Sequence, residues 1–180
     1  MKDRQSKLRI QAVALTEAAY EPYGKLLRAD EAKPHKPANM GTAKRYNHLC
    51  NLENLRGDKA NLNLCVFRCS PLTSAELELT LLEKHQLSSQ VFIPMAEKSR
   101  YLAIVCLGKE EPDLSSLKAF IVDGPQGISY YPGVWHYPMT ALGSSIDFAC
   151  LVYENESESD CTVRNFDETI IVEIQPAQTA

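Results

Sequence analysis

Apolar and polar side chains alternate along much of the chain from Asn61 onward. Leu62, Leu64 and Val66 fall on one face of a strand, and Arg68 continues that face. The next run places five residues on one face: Leu77, Leu79, Leu81, Glu83 and His85. A period of two over runs of this length predicts β-strands rather than helices.

Short apolar runs separated by turn-forming residues occur throughout the chain. Further strands are predicted at Leu8–Leu15, Gln90–Ile93, Tyr101–Leu107, Leu117–Val122, Ile128–Tyr131, Ile146–Tyr153 and Thr169–Ile174. Thr16 is expected to cap one short helix continuing through Glu21 to Leu27, with Pro22 limiting its regularity. Many short strands with one early helix indicate a mainly β fold, a sandwich or barrel, with residues 1–180 as a single domain.

Three polar segments lack a clear period. Residues 29–55 are expected to form a long loop, and loops of that length in compact domains are usually functional or mobile. The acidic run Glu154–Asp160 is expected to be a solvated loop, and residues 176–180 a frayed tail.

Composition narrows the range of partners and the compartment. The net charge of −4 argues against nucleic acid or an anionic membrane as the main partner, because both favour a basic surface. The N-terminus lacks the pattern of a signal peptide, and no segment approaches the roughly 18 apolar residues of a membrane span. Cys65, Cys69, Cys106 and Cys150 lie in apolar runs, so we predict free thiols and a cytoplasmic location.

Two histidines are spaced so that strands can bring them to one pocket. Glu83 and His85 share a strand face, Gln90 follows, and His136 comes after the turn at Gly133. These four polar side chains resemble a degenerate cupin signature, with Glu83 in place of its first histidine and Gln90 in place of its glutamate. They are a possible divalent-metal site, although glutamine is a poorer ligand than glutamate.

Longer segments resemble the ureidoglycolate lyase family, also called ureidoglycolate hydrolase. They are Leu82–Met95, Lys118–Phe120, Gly127–Tyr130 and Gly133–Pro138. The resemblance implies a cupin-type antiparallel β-barrel (a double-stranded β-helix). It also implies cleavage of ureidoglycolate to glyoxylate and urea in allantoin (purine) degradation, an amidine-lyase reaction. The family usually has a histidine directly after the tyrosine that stands at position 130 here, whereas this chain has Tyr131.

That reaction requires a general base, a general acid and an anion clamp, and no redox cofactor. His85 and His136 are the acid–base candidates, because imidazole titrates near neutral pH. Arg68 is the candidate carboxylate clamp, or else a strand-end surface residue. Ser89 and Gln90 are candidates for substrate binding or for turn formation. Tyr130 and Trp135 are candidates for the pocket wall or for the barrel core.

Alternatives remain open on sequence alone. A non-catalytic cupin that binds a small organic acid would have the same barrel, whereas an ammonia-releasing hydrolase would need more metal ligands than the four histidines suggest. A metal-dependent cupin oxygenase is disfavoured by the altered ligand positions. We expect no essential cofactor, with any divalent metal stimulating rather than required, and a homodimer as the commonest closed assembly.

Overall fold

The computed structural model describes residues 8–56 and 60–175, so the predicted tail at 176–180 lies outside the described residues. The strands are β1 Leu8–Ala14, β2 Leu26–Leu27, β3 Lys36–Ala38, β4 Ala43–Arg45, β5 Asn61–Cys69, β6 Pro71–Leu72, β7 Glu76–Lys84, β8 Gln90–Pro94, β9 Arg100–Cys106, β10 Lys118–Asp123, β11 Gly127–Tyr130, β12 Trp135–His136, β13 Thr140–Leu142, β14 Ile146–Glu154 and β15 Thr162–Glu173. The α-helix α1 spans Glu17–Tyr20, and single 3-10 turns lie at Asn39–Gly41, Leu114–Ser116 and Glu158–Asp160.

Two sheets form the body of the protein. The first has eight strands in the order β10-β1-β15-β7-β12-β9-β13-β6, and an additional β9–β10 pairing closes six of them into a ring. The second has the order β2-β11-β8-β14-β5. Most pairs are antiparallel, but β1 runs parallel to both of its neighbours. The prediction of a mainly β barrel with a short N-terminal helix is confirmed.

Alternation along the strands divides the core into two apolar clusters. One cluster fills the closed ring and includes Leu79, Leu102 and Trp135. The other lies between the opposite face of β9 and β10 and the five-stranded sheet, and includes Phe120 and Phe148. Both clusters consist of residues almost fully removed from water, which is the main favourable contribution to folding.

The helix is shorter than predicted, and its C-terminal part is replaced by a strand. The Thr16 hydroxyl accepts a hydrogen bond from the Ala19 amide, as an N-cap residue should. The helix ends at Tyr20, and Gly24 then approaches β11 so closely that a Cβ atom would lie 1.7 Å from the Ser129 carbonyl oxygen. This close approach continues into β2, where a helix to Leu27 was expected.

The predicted face of β7 is only partly correct. Leu77 and Leu79 point into the closed ring, but the next residue in that cluster is Leu82 rather than Leu81. The ladder between β7 and β15 contains a bulge in β15, between Asn165 and Ile170, and such irregularities re-aim side chains. Glu83 therefore faces away from the leucine-rich interior of the ring.

The segment 29–55 is less irregular than predicted, since β3 and β4 pair as a two-stranded sheet within it. Cys65, Cys69, Cys106 and Cys150 are all free thiols, as predicted, and so are the other two cysteines. No helix within the described ranges is long and apolar enough to cross a membrane.

Candidate active site

Strand pairing brings Glu83 and His136 face to face. The two-residue strand β12 lies between β7 and β9, and His136 is the direct cross-strand partner of Glu83. Directly opposite residues in antiparallel strands have Cβ atoms about 5 Å apart, so their side chains interact. The Glu83 Oε1 atom lies 3.7 Å from His136 Nε2.

His85 completes a cluster of three ionisable side chains. It follows the last residue of β7, and its ring lies 5.7 Å from that of His136 with an interplanar angle of 19°. One ligand atom from each of Glu83, His85 and His136 can be chosen so that all three lie within 4.8 Å of one another. The structure thus brings together Glu83, His85 and His136, as the spacing indicated.

Hydrogen bonds to backbone carbonyls fix the orientation and the tautomer of each imidazole. His136 Nδ1 lies 2.9 Å from the Val134 carbonyl oxygen, and His85 Nδ1 lies 2.7 Å from that of Asp160. A carbonyl oxygen only accepts, so each Nδ1 carries the proton and donates it. In the neutral rings the lone pair therefore lies on Nε2, which on His136 faces Glu83.

Burial changes the protonation of all three groups. Desolvation, aided by the nearby His85, lowers the pKa of His136 to about 3. Burial also lowers the pKa of His85 and raises that of Glu83. Each shift follows from the cost of a charge in a poorly solvated site. At neutral pH the site holds two uncharged imidazoles next to a carboxyl group that binds its proton more tightly than usual.

Unpartnered polar atoms surround the imidazoles. The Tyr130 ring stacks on His136 at 4.2 Å with an interplanar angle of 9°. The Tyr130 hydroxyl, Gln90 Oε1 and His136 Nε2 are buried without a hydrogen-bond partner in the part of the chain that the structure describes. Tyr130 and Gln90 are cross-strand partners on β11 and β8. Because unpaired buried polar groups are costly, these atoms indicate a place for a polar ligand.

The structure does not gather the remaining predicted residues at this cluster. Trp135 points into the closed ring, where the Lys84 ammonium lies 4.6 Å from the centre of its ring. The Ser89 hydroxyl accepts a hydrogen bond from the Glu53 amide at 2.7 Å, which ties the long early segment to β8. The first contact packs the interior of the ring, and the second joins two segments of the chain.

Arg68 lies far from the two histidines. Its side chain is 80% exposed and forms a bidentate pair with Asp147, with both N–O distances at 2.8 Å. The ladder aligns Gln90 with Val152 and Asn63, so Arg68 is five residues further along β5, roughly 16 Å at the rise of a strand. The outer face that Arg68 shares with Leu64 is exposed rather than packed on the core.

Two neighbouring residues contact the cluster without having been predicted. Asp160 provides the carbonyl that holds His85, and the Cys161 thiol lies 3.9 Å from Glu83 Oε2. Burial and the adjacent Glu83 raise the pKa of Cys161 to about 11, so the thiol stays protonated. Asp160 belongs to the acidic run that was expected to be solvated. Nothing in the sequence of that run distinguishes Asp160 from the other acidic residues.

The three-residue cluster fits a divalent metal. Two imidazole nitrogens and a carboxylate are suitable ligands for zinc and similar ions, and the buried, unpartnered Nε2 of His136 is available to bind one. The backbone hydrogen bonds at both Nδ1 atoms are also the usual second contacts of metal-binding histidines. Gln90, the fourth predicted ligand, is the cross-strand partner of Tyr130, whose ring stacks on His136.

A barrel that buries two imidazoles and a carboxyl group beside unpartnered polar atoms is typical of enzymes acting on small molecules. The chain belongs to the ureidoglycolate lyase family, whose model matches residues 7–173. The resemblance seen in the sequence is therefore confirmed.

Named relatives match almost the whole chain. A ureidoglycolate lyase of Escherichia coli strain SMS-3-5 is 34% identical over 163 residues, covering 89% of this chain and 96% of that protein. One of Burkholderia cepacia is 34% identical over 164 residues, covering 91% and 89%. Among solved structures, a 3,4-ketoisomerase of Helicobacter canadensis aligns with a TM-score of 0.43 and 18% identity, covering 77% of this chain and 89% of that one.

The buried His136 predicts a loss of stability in mild acid. An unfolded imidazole titrates near pH 6.5, whereas the pKa of the folded one is about 3. Between these values only the unfolded chain binds the proton, so stability falls as pH falls below 6.5. From pH 7 to pH 5 we expect His136 alone to cost about 2 kcal/mol of unfolding free energy, measured by urea denaturation with chelator present.

The comparison that isolates this effect uses His136→Gln, which removes the titrating group. We expect the variant to lose less stability between pH 7 and pH 5 than the wild type, whereas His35→Gln, at an exposed histidine, should behave as the wild type does. Equal losses in the wild type and His136→Gln would contradict the burial argument.

Proposed function

We propose that this protein cleaves ureidoglycolate to glyoxylate and urea. The observation that carries the proposal is the pair of buried neutral imidazoles, each with its Nδ1 proton engaged by a backbone carbonyl. The family membership supports the substrate. The non-catalytic alternative is disfavoured, since the matched relatives are named as lyases.

We assign the general base to His85 and a supporting role to His136. Both imidazoles are neutral and each is hydrogen-bonded to a backbone carbonyl, but His85 is the more exposed, at 8% against 2%. The negative charges of Glu154 and Asp160 also partly offset the lowering of the His85 pKa by burial. His85 Nε2 takes the hydroxyl proton of the substrate, and the alkoxide collapses to the aldehyde as the C–N bond breaks. The imidazolium then returns the proton to the departing urea nitrogen, so one proton is passed and none is consumed.

Gln90 and Tyr130 are our candidates for binding the ureido group. The unpartnered Gln90 Oε1 can accept a hydrogen bond from a ureido N–H, and the Tyr130 hydroxyl can donate one to the ureido carbonyl. Burial raises the pKa of Tyr130, so the hydroxyl keeps its proton. Arg68, Ser89 and Trp135 remain predictions as substrate-binding residues, and their present contacts do not favour that role.

A product assay tests the reaction. We expect the purified protein to release urea and glyoxylate in equal amounts, and His85→Ala to lower kcat roughly 100-fold or more, in line with the loss of a general base. His35→Ala is the matched control, because that histidine is exposed, and it should leave kcat unchanged. Glyoxylate accompanied by ammonia and no urea would exclude the lyase reaction.

We propose that a divalent metal at Glu83, His85 and His136 stimulates the reaction without being essential. Such an ion would occupy the Nε2 lone pair of His85, so it would act in place of that base by polarising the substrate hydroxyl, which then loses its proton more readily. The support is that backbone carbonyls orient both imidazoles without help from an ion. We expect chelation to lower kcat by less than about 10-fold, a small part of what a required metal would contribute. A complete loss that added metal restores would contradict this proposal.

We also propose a homodimer, supported by the outer face of the edge strand β5. Leu62, Leu64 and Val66 are 45–67% exposed there, and β5 has a neighbour on one side only among the described strands. A strand edge with an apolar face is a ready surface for pairing with a second copy about a two-fold axis.

Sedimentation tests the dimer. We expect Leu64→Glu to convert the protein to monomers, because a charge would then lie in the apolar contact. Val13→Glu, on the outward face of β1 and 50% exposed, should leave the assembly intact. A monomeric wild type, or an unaffected Leu64→Glu dimer, would rule out this interface.

The remaining proposals concern the domain organisation, the pathway and the compartment. We propose that the chain acts as one catalytic domain, since the family match runs over residues 7–173. We place the reaction among amidine-lyase steps of allantoin degradation in the cytoplasm, a compartment that its free thiols favour.

A further inference from the structure

The acidic segment 155–161 contacts two members of the histidine–carboxyl cluster through consecutive residues. The Asp160 carbonyl oxygen accepts the hydrogen bond from His85 Nδ1 at 2.7 Å. The Cys161 thiol points at Glu83 Oε2 from 3.9 Å. The position of this segment therefore determines where two of the reacting groups are held.

The Asp160 carboxylate is the centre of the turn that shapes this segment. Its two oxygens accept hydrogen bonds from the backbone amides of Asn155, at 3.1 and 3.2 Å, and of Ser157, at 3.0 Å. The carboxylate is 13% exposed. A carboxylate so enclosed is costly unless a positive charge lies beside it.

Arg56 supplies that positive charge from outside the segment. Its side chain is 5% exposed, and Nη1 lies 2.8 Å from Asp160 Oδ1. The same guanidinium donates to the Asn155 side chain at 2.5 Å and to the Ser159 carbonyl at 2.6 Å. One rigid, planar group thus binds three residues of the turn, a geometry that a lysine cannot reproduce in full.

We propose that Arg56 is a positioning residue that selects the reactive tautomer of His85. The inference rests on the proposed role of His85 as the base. Arg56 holds Asp160, the Asp160 carbonyl holds the Nδ1 proton, and the lone pair is thereby kept on Nε2. Without the guanidinium the largely enclosed Asp160 carboxylate keeps its amide hydrogen bonds but loses its positive partner, so the turn opens and the carbonyl no longer specifies one tautomer.

Arg56 is proposed to position the base, whereas Arg68 was predicted as a candidate for binding the substrate carboxylate. A positioning residue changes the geometry of the base, so its loss should lower kcat while KM stays within about 2-fold. A residue that binds substrate directly would raise KM instead. Direct substrate binding is the alternative to test, because Arg56 Nε is buried without a hydrogen-bond partner among residues 8–56 and 60–175 and could donate to a ligand.

The test combines kinetics with the tautomer of His85 in the free protein. Long-range ¹H–¹⁵N correlation spectra at pH 8, where imidazole is neutral, distinguish the Nδ1–H form from the Nε2–H form. We expect the Nδ1–H form in the wild type and a mixture in Arg56→Gln, with kcat lowered roughly 10- to 100-fold. Arg56→Lys, which keeps the charge, should retain mostly the Nδ1–H form and lose less than 10-fold.

Controls separate this effect from the loss of a surface charge and from unfolding. Arg164→Gln removes an exposed guanidinium paired with Glu111 and should change neither readout. Should Arg56→Gln fail to fold, Arg56→Lys and Asp160→Asn provide the same two measurements, with Asp160→Asn expected to give the tautomer mixture. An unchanged Nδ1–H form in Arg56→Gln or Asp160→Asn, or a raised KM with normal kcat, would overturn the proposal.

The tautomer measurement also distinguishes this inference from the proposed function. It needs no substrate, so a wild type that does not cleave ureidoglycolate would refute the reaction while the spectra still decide the role of Arg56. Conversely, an active wild type with an unaltered Arg56→Gln spectrum would leave the reaction standing and remove Arg56 from it.

Discussion

The site depends on one two-residue strand. In β12, Trp135 and His136 point to opposite faces, as successive strand residues must, so the indole fills the closed ring and the imidazole faces the second cluster. Backbone pairing with β7 and β9 fixes the strand between them and places His136 opposite Glu83. A shift of one residue would put tryptophan in the site and histidine in the leucine-rich interior. The packing of Trp135 and the placement of His136 in the site are therefore set by the same strand register.

The cost of that placement explains the protonation of the site. An imidazole fully enclosed by protein cannot easily be charged, and a second imidazole beside it adds repulsion, so both favour the neutral form. Glu83 responds to the same desolvation in the opposite sense, because its charged form is the deprotonated one. The barrel thus keeps both imidazoles neutral, and the backbone carbonyls decide which nitrogen holds the lone pair that a base would use.

Residue patterns predicted most of the strands, because alternation with a period of two is a local property. They indicated a meeting of Glu83, His85 and His136 only on the condition that the strand carrying His136 pairs nearby, which it does. They did not predict the bulge in β15, which depends on pairing between distant segments and breaks the alternation expected along β7. They also could not tell Arg56 from Arg68. Arg68 follows an alternating apolar face, but that face belongs to an edge strand and is open to solvent. Arg56 follows no pattern, and its burial arises only when the acidic turn folds against it.

The acidic run shows why composition alone misleads here. Seven mainly acidic and polar residues have no apolar surface to bury, so a solvated loop was the natural expectation for Glu154–Asp160. Yet a carboxylate that accepts hydrogen bonds from two backbone amides and lies beside a guanidinium can replace most of its hydration inside a turn. Its neighbours in the run stay largely exposed, so only Asp160 is committed to the structure. A net negative segment can therefore hold a neutral histidine in place: its backbone carbonyl contacts the ring, while its charge is bound by Arg56.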